Sequence, residues 1–393
     1  MKILSIKKCK NIRSYTPTPI FNKSIISDAG KLINESKKPF IVWGQGVILA
    51  NAEPEFREFV EKSGIPAAWT ILGVSAISTS HELNVGMVGM HGNYGPNVLT
   101  NECDLLIAIG MRFDDRVTGD LKSYAKQAKI IHFEIDPSEV DKNVKVDLAV
   151  IGDVKQTLKE ILPHLEKKSH STWVSKFKEL NKIEFDKVIN KEYNKETGGL
   201  SMAEVIKSIN ENTDGNSILV TDVGQHQMVA CRYMNFNKSK SNITSGGLGT
   251  MGFALPAALG AKIGNPQREV IAVIGDGGFQ MTIQELGTIF QTSTSVKIII
   301  LNNEYLGMVR QWQQLFFEKR YASTEMTNPD FVTISKGYFI ESKRVSKRTN
   351  LDSSIKEMLS HDGPYLLEVC VEKEENVFPM IPSGSSVSDI RLE

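Results

Sequence analysis

Short hydrophobic runs alternate along this chain with longer stretches of helical periodicity. The runs predict buried strands, and they fall into two groups separated by a polar stretch. The first group comprises residues 39–43, 66–69, 104–109, 129–135 and 147–151. The second group comprises residues 218–221, 270–274, 296–301 and 365–371. Because strands alternate with helical stretches, the predicted fold class is α/β, with two doubly wound parallel-sheet domains.

The polar stretch between the two groups predicts a linker. Residues 153–194 are rich in Lys and Glu and carry Trp173 and Phe177 at helical spacing, which is typical of surface helices. Near the start of the chain, Ser27 is predicted to cap a helix that ends near Glu35. The predicted divisions are an N-terminal extension at 1–24, a central domain at 25–165, a charged helical linker at 166–199 and a C-terminal domain at 200–393.

The composition excludes several classes of protein. Basic and acidic side chains balance, 46 against 46, so neither nucleic acid nor a membrane is predicted as a partner. The four cysteines form no Cys-x-x-Cys pair, which is typical of a reducing cytosol. The basic start at residues 1–14 lacks a secretory apolar core, so we expect a cytoplasmic protein.

The most informative chemistry lies at residues 270–312. One apolar run ends in Gly-Asp-Gly-Gly at 275–278, and the next ends in Asn-Asn at 302–303. Asp276 and Asn303 are 303 − 276 = 27 residues apart, about one strand–helix–strand unit. Carboxylate and amide oxygens suit Mg²⁺, and glycine amides at a helix start can bind a diphosphate. Both sequences could instead be plain turns, but their strand contexts and spacing favour a magnesium–diphosphate site.

A second glycine-rich sequence, residues 247–252, fits the dinucleotide pattern G-x-G-x-x-G. A nicotinamide site needs a strand before it, and residues 242–245 are short and polar. We therefore expect these glycines to allow close approach of a flat ring instead. His226 follows the strand that ends at Thr221 and is either a structural histidine or a phosphate or substrate ligand. Its position at the shared sheet edge favours the ligand.

Longer sequences around these positions resemble the catalytic subunits of the acetolactate synthase (acetohydroxyacid synthase) family. The resemblance rests on residues 223–228, 244–253 and 301–312, and on residues 89–92 and 112–119 in the first domain. It extends from about Arg13 to about Ile390. It implies a central FAD-binding-like domain and a C-terminal thiamine-diphosphate-binding domain.

The resemblance also implies roles for individual residues around thiamine diphosphate and Mg²⁺. The metal ligands would be Asp276, Asn303 and the backbone carbonyl of Tyr305. The candidate catalytic residues are Met251, which would keep the cofactor folded, and Trp312, which would shape the acceptor pocket. The other expected cofactor contacts are Gln225, His226, Gly249, Thr250, Gly277, Gly278, Gly307 and Met308. From the residues alone, Trp312 is better explained as a core residue of its helix.

FAD is the cofactor that the resemblance implies for the first domain. The candidate contacts are Gly44, Thr70, Leu72, Met90, His91, Gly92, Arg112, Phe113, Asp114, Arg116, Asp136 and Asp153. The alternative is a flavin-free structural domain, as in related thiamine enzymes, but residues 112–119 favour FAD. Near the end, residues 379–384 match the family's terminal segment, which can close over the active site.

The implied reaction condenses pyruvate with a second pyruvate or with 2-oxobutanoate, releasing CO₂, in branched-chain amino acid (isoleucine and valine) biosynthesis. A homodimer or higher oligomer and a small regulatory subunit are the expected partners. The family's amino-terminal pyrimidine-binding domain carries the activating glutamate and has no counterpart in this sequence. We therefore expect the chain alone to bind the cofactor weakly and to be nearly inactive. Truncation, or a separate pyrimidine-domain chain, would explain this.

Two other functions stay open. One is another thiamine enzyme, such as a pyruvate oxidase or a 2-oxo acid decarboxylase. The other is a non-catalytic cofactor-binding subunit. Two smaller departures from the family pattern are Gln45, which interrupts a usual glycine triplet, and Gly278, which replaces a frequent serine. Neither disturbs the predicted metal ligands.

Overall fold

The computed structural model describes residues 17–393 and contains two parallel six-stranded sheets. The first sheet consists of β1 (Pro39–Trp43), β2 (Ala67–Trp69), β3 (Asn84–Met87), β4 (Leu105–Ile109), β5 (Lys129–Glu134) and β6 (Leu148–Ile151). The second consists of β7 (Ile218–Thr221), β8 (Asn242–Thr244), β9 (Val270–Gly275), β10 (Lys297–Asn302), β11 (Glu341–Val345) and β12 (Tyr365–Cys370). The spatial orders are β3-β2-β1-β4-β5-β6 and β11-β12-β10-β9-β7-β8, which confirms the predicted fold class.

Helices connect the strands and pack on the sheets. Those of the first unit are Lys23–Glu35, Gln45–Leu49, Glu53–Ser63, Tyr94–Thr100, Asp115–Thr118 and Val154–Ile161. The connecting segment contains Ser171–Glu184, a π-helical turn at Phe185–Ile189, and Asn190–Tyr193. Those of the second unit are Met202–Thr213, Gln225–Tyr233, Ala254–Gly264, Asp276–Met281, Glu285–Thr292, Gly307–Phe316, Phe331–Gly337 and Leu351–Ser360. Short 3₁₀ turns occur at Pro137–Glu139, Leu162–His164, Arg348–Asn350 and Val387–Asp389.

The central strands carry apolar residues on both faces, as buried parallel strands must. In β1, Ile41 and Trp43 enter one hydrophobic cluster, whereas Phe40 and Val42 enter another on the opposite face. All six residues of β9 are buried. This double burial is the reason why the hydrophobic runs in the sequence predicted the inner strands.

Several element predictions need correction. The structure adds three short strands that the hydrophobic pattern did not reveal, β3, β8 and β11. All three lie at the edge of a sheet. The first helix begins at Lys23 rather than at Ser27, because the side chain of Asn22 accepts a hydrogen bond from the amide of Ser24. The predicted extension at 1–24 therefore overlaps this helix. Residues 1–16, including Cys9, lie outside the described residues.

The polar linker is more deeply packed than its composition suggests. Trp173 and Phe177 are buried in the core of the first sheet, where their rings meet at 5.1 Å. The chain end returns to the same core, since Ile381 and Val387 also belong to it. The two sheet domains are thus tied together by both the connecting segment and the C-terminal segment.

A direct interface also joins the two domains. Backbone groups of Thr79 and Phe236 hydrogen-bond across it at 3.0 Å, and Ser75 accepts from the amide of Ser241 at 3.2 Å. One hydrophobic cluster runs continuously from the first sheet into the second. Within residues 17–393, no helix is both long and apolar enough to cross a membrane.

Glu192, on the connecting segment, makes the stability of the fold depend on pH. Burial raises the pKa of Glu192 to about 7 from an ordinary value of 4.5, although Tyr233 donates a 2.6 Å hydrogen bond to its carboxylate. Between those values the folded state binds more protons at Glu192 than the unfolded state. The stabilisation that its protonated form provides is therefore lost as the pH rises toward 7.

We expect Glu192→Gln to remove this loss. Relative to the variant, the wild-type free energy of unfolding should fall by roughly 1 to 3 kcal/mol between about pH 5 and about pH 8, since one pKa unit corresponds to about 1.4 kcal/mol. Urea unfolding of both proteins at each pH measures the difference. Parallel pH profiles for the two proteins would contradict this assignment.

Candidate cofactor site

A cavity of about 60 Å³ opens at the carboxyl ends of three adjacent strands of the second sheet, β7, β9 and β10. Each strand ends in a polar or glycine-rich turn, and a helix begins directly after it. This edge is where open parallel sheets bind their ligands, because helix N-termini and free backbone amides converge there. The cavity wall contains Val223, Gly224, Gln225, His226, Met251, Asp276, Gly277, Gly278, Asn303, Tyr305, Gly307 and Met308, among others.

Among residues 17–393, Asp276 supplies the only carboxylate in the wall of this cavity. It is the first residue of helix Asp276–Met281 and is 1% exposed. Burial raises the pKa of Asp276 to about 6, while a 2.7 Å hydrogen bond from Asn328 Nδ2 partly opposes that rise. Since the ionised form is costly in this environment, a bound cation would be strongly favoured beside it.

Asn303 and Gln225 form an amide network across the cavity. Asn303 Oδ1 accepts from the amide of Tyr305 at 3.2 Å, and Asn303 Nδ2 lies 3.5 Å from Gln225 Oε1. Gln225 Nε2 donates to Gln311 Oε1 at 2.8 Å and to the carbonyl of Glu375 at 2.7 Å. The side chains of Asn303, Gln225 and Gln311 therefore have partners within the described residues, and their amide groups are held in place before any ligand binds.

His226 offers an unpaired nitrogen beside this network. It is 5% exposed, and burial lowers the pKa of His226 to about 4, so the ring is neutral at physiological pH. Among residues 17–393, its Nε2 atom has no hydrogen-bond partner. A buried polar atom without a partner is uncommon in a folded protein, and a ligand in the cavity would satisfy it.

The glycines of the wall leave no room for side chains. A Cβ atom at Gly307 would lie 2.2 Å from Gln225 Oε1, and one at Gly277 would lie 2.7 Å from Leu306 Cδ2. Gly277 and Gly307 both lie in the first turn of helices that line the cavity. Within the described chain, no group of three or more His, Cys, Asp or Glu residues is arranged to hold a metal ion. A single carboxylate with neutral oxygen donors and free amides fits Mg²⁺ bound together with an anionic group.

Two larger cavities continue from the first. One, of about 510 Å³, lies between the domains and shares Val223, Gly224, Met251, Met308 and Val309 with the small cavity. The other, of about 500 Å³, lies at the edge of the first sheet. The two large cavities share Thr70, Leu72, Arg112 and Asp114. The three cavities are therefore neighbours that share wall residues, from the Asp276 turn to the first domain.

Comparison with known proteins identifies the two domains. Residues 26–161 match the family described as "Thiamine pyrophosphate enzyme, central domain", and residues 222–369 match "Thiamine pyrophosphate enzyme, C-terminal TPP binding domain". The chain is 40% identical to the probable acetolactate synthase large subunit of Methanococcus aeolicus, over 96% of this chain and 65% of that protein. It is 42% identical to the acetolactate synthase large subunit of Corynebacterium glutamicum, over 97% of this chain and 62% of that protein. It is 38% identical to the large subunit of Buchnera aphidicola, over 97% of this chain and 67% of that protein.

The chain belongs to the acetolactate synthase large-subunit family. The resemblance predicted from the sequence is thereby confirmed, as is a thiamine diphosphate-binding domain. The chain spans less than two thirds of the length of the first two relatives named above.

Most residues predicted from the acetolactate synthase resemblance lie in the cavity walls. The small cavity brings together Gln225, His226, Met251, Asp276, Gly277, Gly278, Asn303, Tyr305, Gly307 and Met308. The interdomain cavity adds Met90, His91, Arg116, Gly249 and Trp312. The cavity of the first domain collects Gly44, Thr70, Leu72, Arg112, Asp114, Asp136 and Asp153. Trp312 is half-buried in a cavity wall instead of lying in a core, so its explanation as a core residue is wrong.

Three predicted contacts lie elsewhere. Phe113 is buried in the first core, where its ring packs 5.0 Å from that of His132. Gly92 lies against backbone, since a Cβ there would be 2.5 Å from the carbonyl of Met87. Thr250 is exposed on the loop beside the cavity. For these three, the roles that the acetolactate synthase family implies have no support from side-chain position.

The dinucleotide alternative at residues 247–252 is inconsistent with the topology. The structure does place a strand, β8, before these glycines. However, β7 separates β8 from β9, the next strand in the chain. A dinucleotide fingerprint requires those two strands to be neighbours, so that the acidic residue at the end of the second can reach the ribose.

The C-terminal segment lies on the first domain. The amide of Ile381 donates to the carbonyl of Met90 at 2.8 Å, and His91 Nδ1 lies 3.2 Å from the carbonyl of Pro379. Met90 and His91 line the interdomain cavity, so residues 379–384 pack behind its wall. Burial lowers the pKa of His91 to about 4, which keeps its ring neutral.

Proposed function

We propose that this chain acts as an acetolactate synthase catalytic chain, condensing pyruvate with pyruvate or 2-oxobutanoate and releasing CO₂. The observation that carries the proposal is the convergence of Asp276, Asn303 and His226 on one cavity in a thiamine diphosphate-binding domain. The names of the relatives supply the reaction class, acetolactate synthesis.

The chain's own residues anchor and orient the cofactor in this proposal. Asp276, Asn303 and the carbonyl of Tyr305 hold Mg²⁺, while the amides of Gly277 and Gly278 donate to the diphosphate. Thiamine diphosphate supplies a nucleophilic carbon and an electron sink when bound. The protein's contribution is therefore geometry and charge rather than a nucleophilic side chain.

The interdomain cavity provides the substrate pocket. Met251 and Met308 line both cavities and form an apolar wall between the cofactor anchor and the substrate space. Trp312 also lines this space, and its ring packs against that of Phe316 with the centroids 4.8 Å apart. An indole there discriminates one methylene in the acceptor by only about 1 to 3 kcal/mol, so both acceptors should react.

FAD binding by the first domain is a second part of the proposal. The cavity of about 500 Å³ has room for part of a dinucleotide and shares wall residues with the interdomain cavity. Arg112 supplies a charge for a phosphate, and Asp136 at the end of β5 is placed to accept from a ribose hydroxyl. Flavin absorbance of the purified chain tests this part separately.

Association with other chains completes the proposal. The relatives are named large subunits, which supports a smaller regulatory subunit as a partner. We also infer self-association into a dimer or a higher oligomer and cooperation with a pyrimidine-binding domain. Sedimentation of the chain alone, and with each candidate partner added, measures these associations.

Product analysis tests the proposed reaction. The chain is incubated with thiamine diphosphate, Mg²⁺, pyruvate and 2-oxobutanoate, both alone and with a separately expressed pyrimidine-binding domain. We expect acetolactate and its 2-oxobutanoate counterpart in the second mixture. Release of CO₂ with aldehyde as the only product would instead indicate a decarboxylase, and acetate or acetyl phosphate an oxidase. Cofactor binding without any turnover in either mixture would favour a non-catalytic subunit.

A further inference from the structure

Asp222 is a fully buried carboxylate immediately after β7. Its Oδ2 accepts from the amide of Gly252 at 3.0 Å, and its Oδ1 accepts from the amide of Phe253 at 3.0 Å. These amides precede helix Ala254–Gly264, whose N-cap residue, Phe253, makes no side-chain capping hydrogen bond. Asp222 therefore caps this helix from a distant strand, which fixes the loop before the helix.

The same carboxylate contacts the turn that carries Asp276. A Cβ atom at Gly278 would lie 1.7 Å from Asp222 Oδ2, so a larger residue there would displace the Asp222 carboxylate from its present position. Asp222 thus touches both the loop before Gly252 and the diphosphate turn.

Gly252 is also held from its other side. Thr282 Oγ1 donates to the carbonyl of Gly252 at 2.9 Å, while Asp222 accepts from its amide. Gly252 has a φ of +84°, which suits glycine, and a Cβ there would lie 3.0 Å from Met281 Cβ. Two side chains on two different elements therefore fix one residue. Met251, directly before it, lines both the anchor cavity and the interdomain cavity.

We propose that Asp222 is a positioning residue for thiamine diphosphate. It holds the loop at residues 249–251 at a set distance from the turn at 276–278. The loop can then contact the rings of the cofactor while the turn binds its diphosphate. This inference rests on the proposed function, because it assigns the loop to the rings and the turn to the diphosphate.

Comparing two ligands tests the proposal. Inorganic pyrophosphate with Mg²⁺ reports on the turn alone, whereas thiamine diphosphate with Mg²⁺ reports on the turn and the loop together. In Asp222→Asn, one of the two accepting oxygens becomes an NH₂ group that faces a backbone N–H. One hydrogen bond is lost, and two hydrogen-bond donors then point at each other. We expect calorimetric titration to give about a tenfold or greater loss of affinity for thiamine diphosphate and less than about a twofold change for pyrophosphate.

Two further variants keep the test decisive. Thr282→Val loosens Gly252 from the opposite side and should cause the same selective loss, and it takes over the test if Asp222→Asn does not fold. Asp362→Asn, an exposed substitution of the same type, should change neither affinity. Equal losses for both ligands, or no loss for thiamine diphosphate, would overturn the positioning role. Wild-type protein that binds thiamine diphosphate no more tightly than pyrophosphate would overturn this inference together with the proposed function.

Discussion

Asp276→Asn should abolish Mg²⁺-dependent binding of thiamine diphosphate. The substitution keeps the size of the side chain but removes the one carboxylate that the described part of the chain places in the wall of the small cavity. Mg²⁺ prefers charged oxygen ligands, and a diphosphate needs the cation to offset its own charge. We expect the affinity to fall by about a hundredfold or more, which corresponds to about 3 kcal/mol.

The same substitution should leave the unliganded protein as stable as the wild type or more so. Burial raises the pKa of Asp276 to about 6, which means that ionising it near pH 8 costs folding free energy. Asparagine carries no such cost. In the wild type, Asn328 Nδ2 donates a hydrogen bond to the Asp276 carboxylate, and in the variant it faces a side-chain amide instead. Opposite signs for stability and binding would distinguish a metal ligand from a merely structural carboxylate.

Calorimetric titrations with and without Mg²⁺, and thermal unfolding without ligand, measure the two effects. Asp362→Asn serves as the matched control, since it is an exposed substitution of the same type. If Asp276→Asn retained wild-type, Mg²⁺-dependent affinity, the assignment of Asp276 as a metal ligand would be wrong. A large loss of stability together with the loss of binding would point to misfolding rather than to a missing ligand.

The inner strands could be predicted because they are buried on both faces and therefore appear as unbroken apolar runs. Strand β9, with six buried residues, is the clearest case. The strands β3 and β11 lie at sheet edges and contain Asn, Glu, Lys or Arg, so their sequences carry no such run. Edge strands are defined by pairing to one neighbour, and that pairing is a property of the assembled sheet.

In the candidate site, too, some residues could be predicted from the sequence and others could not. Asp276 and Asn303 could be predicted as neighbours because both follow strands, and parallel strands end at one edge. Asn328 and Asp222 were missed as supporting residues. Asn328 lies in a loop without a periodic signal and reaches Asp276 only through the fold. Asp222 does end a strand, but its contact with Gly278 depends on how two turns pack, which no spacing in the sequence encodes.

Glu184→Ala is the substitution that we expect to destabilise the protein most. Glu184 and Arg232 form an ion pair between the connecting segment and helix Gln225–Tyr233, and both side chains are fully buried. Glu184 also accepts from Asn93 Nδ2 at 3.0 Å and from the amide of Tyr94 at 2.6 Å. One carboxylate therefore joins the first domain, the connecting segment and the second domain.

Removing this carboxylate leaves the Arg232 guanidinium buried without its partner. Arg232 would keep its 2.7 Å hydrogen bond to the carbonyl of Phe378, but a carbonyl does not neutralise a charge. Breaking a buried pair by deleting one member typically costs about 3 to 5 kcal/mol. We expect a loss of that size in the free energy of unfolding, measured by urea titration.

Two further variants separate the ion pair from the helix that carries Glu184. Glu179→Ala lies on the same helix at an exposed position and should change stability by less than about 0.5 kcal/mol. The double variant Glu184→Ala/Arg232→Met removes the orphaned charge and should recover part of the loss, because an apolar side chain needs no partner. Additive losses in the double variant would mean that the two residues act independently. The helix that carries Gln225 and His226 would then owe its position to packing rather than to the pair.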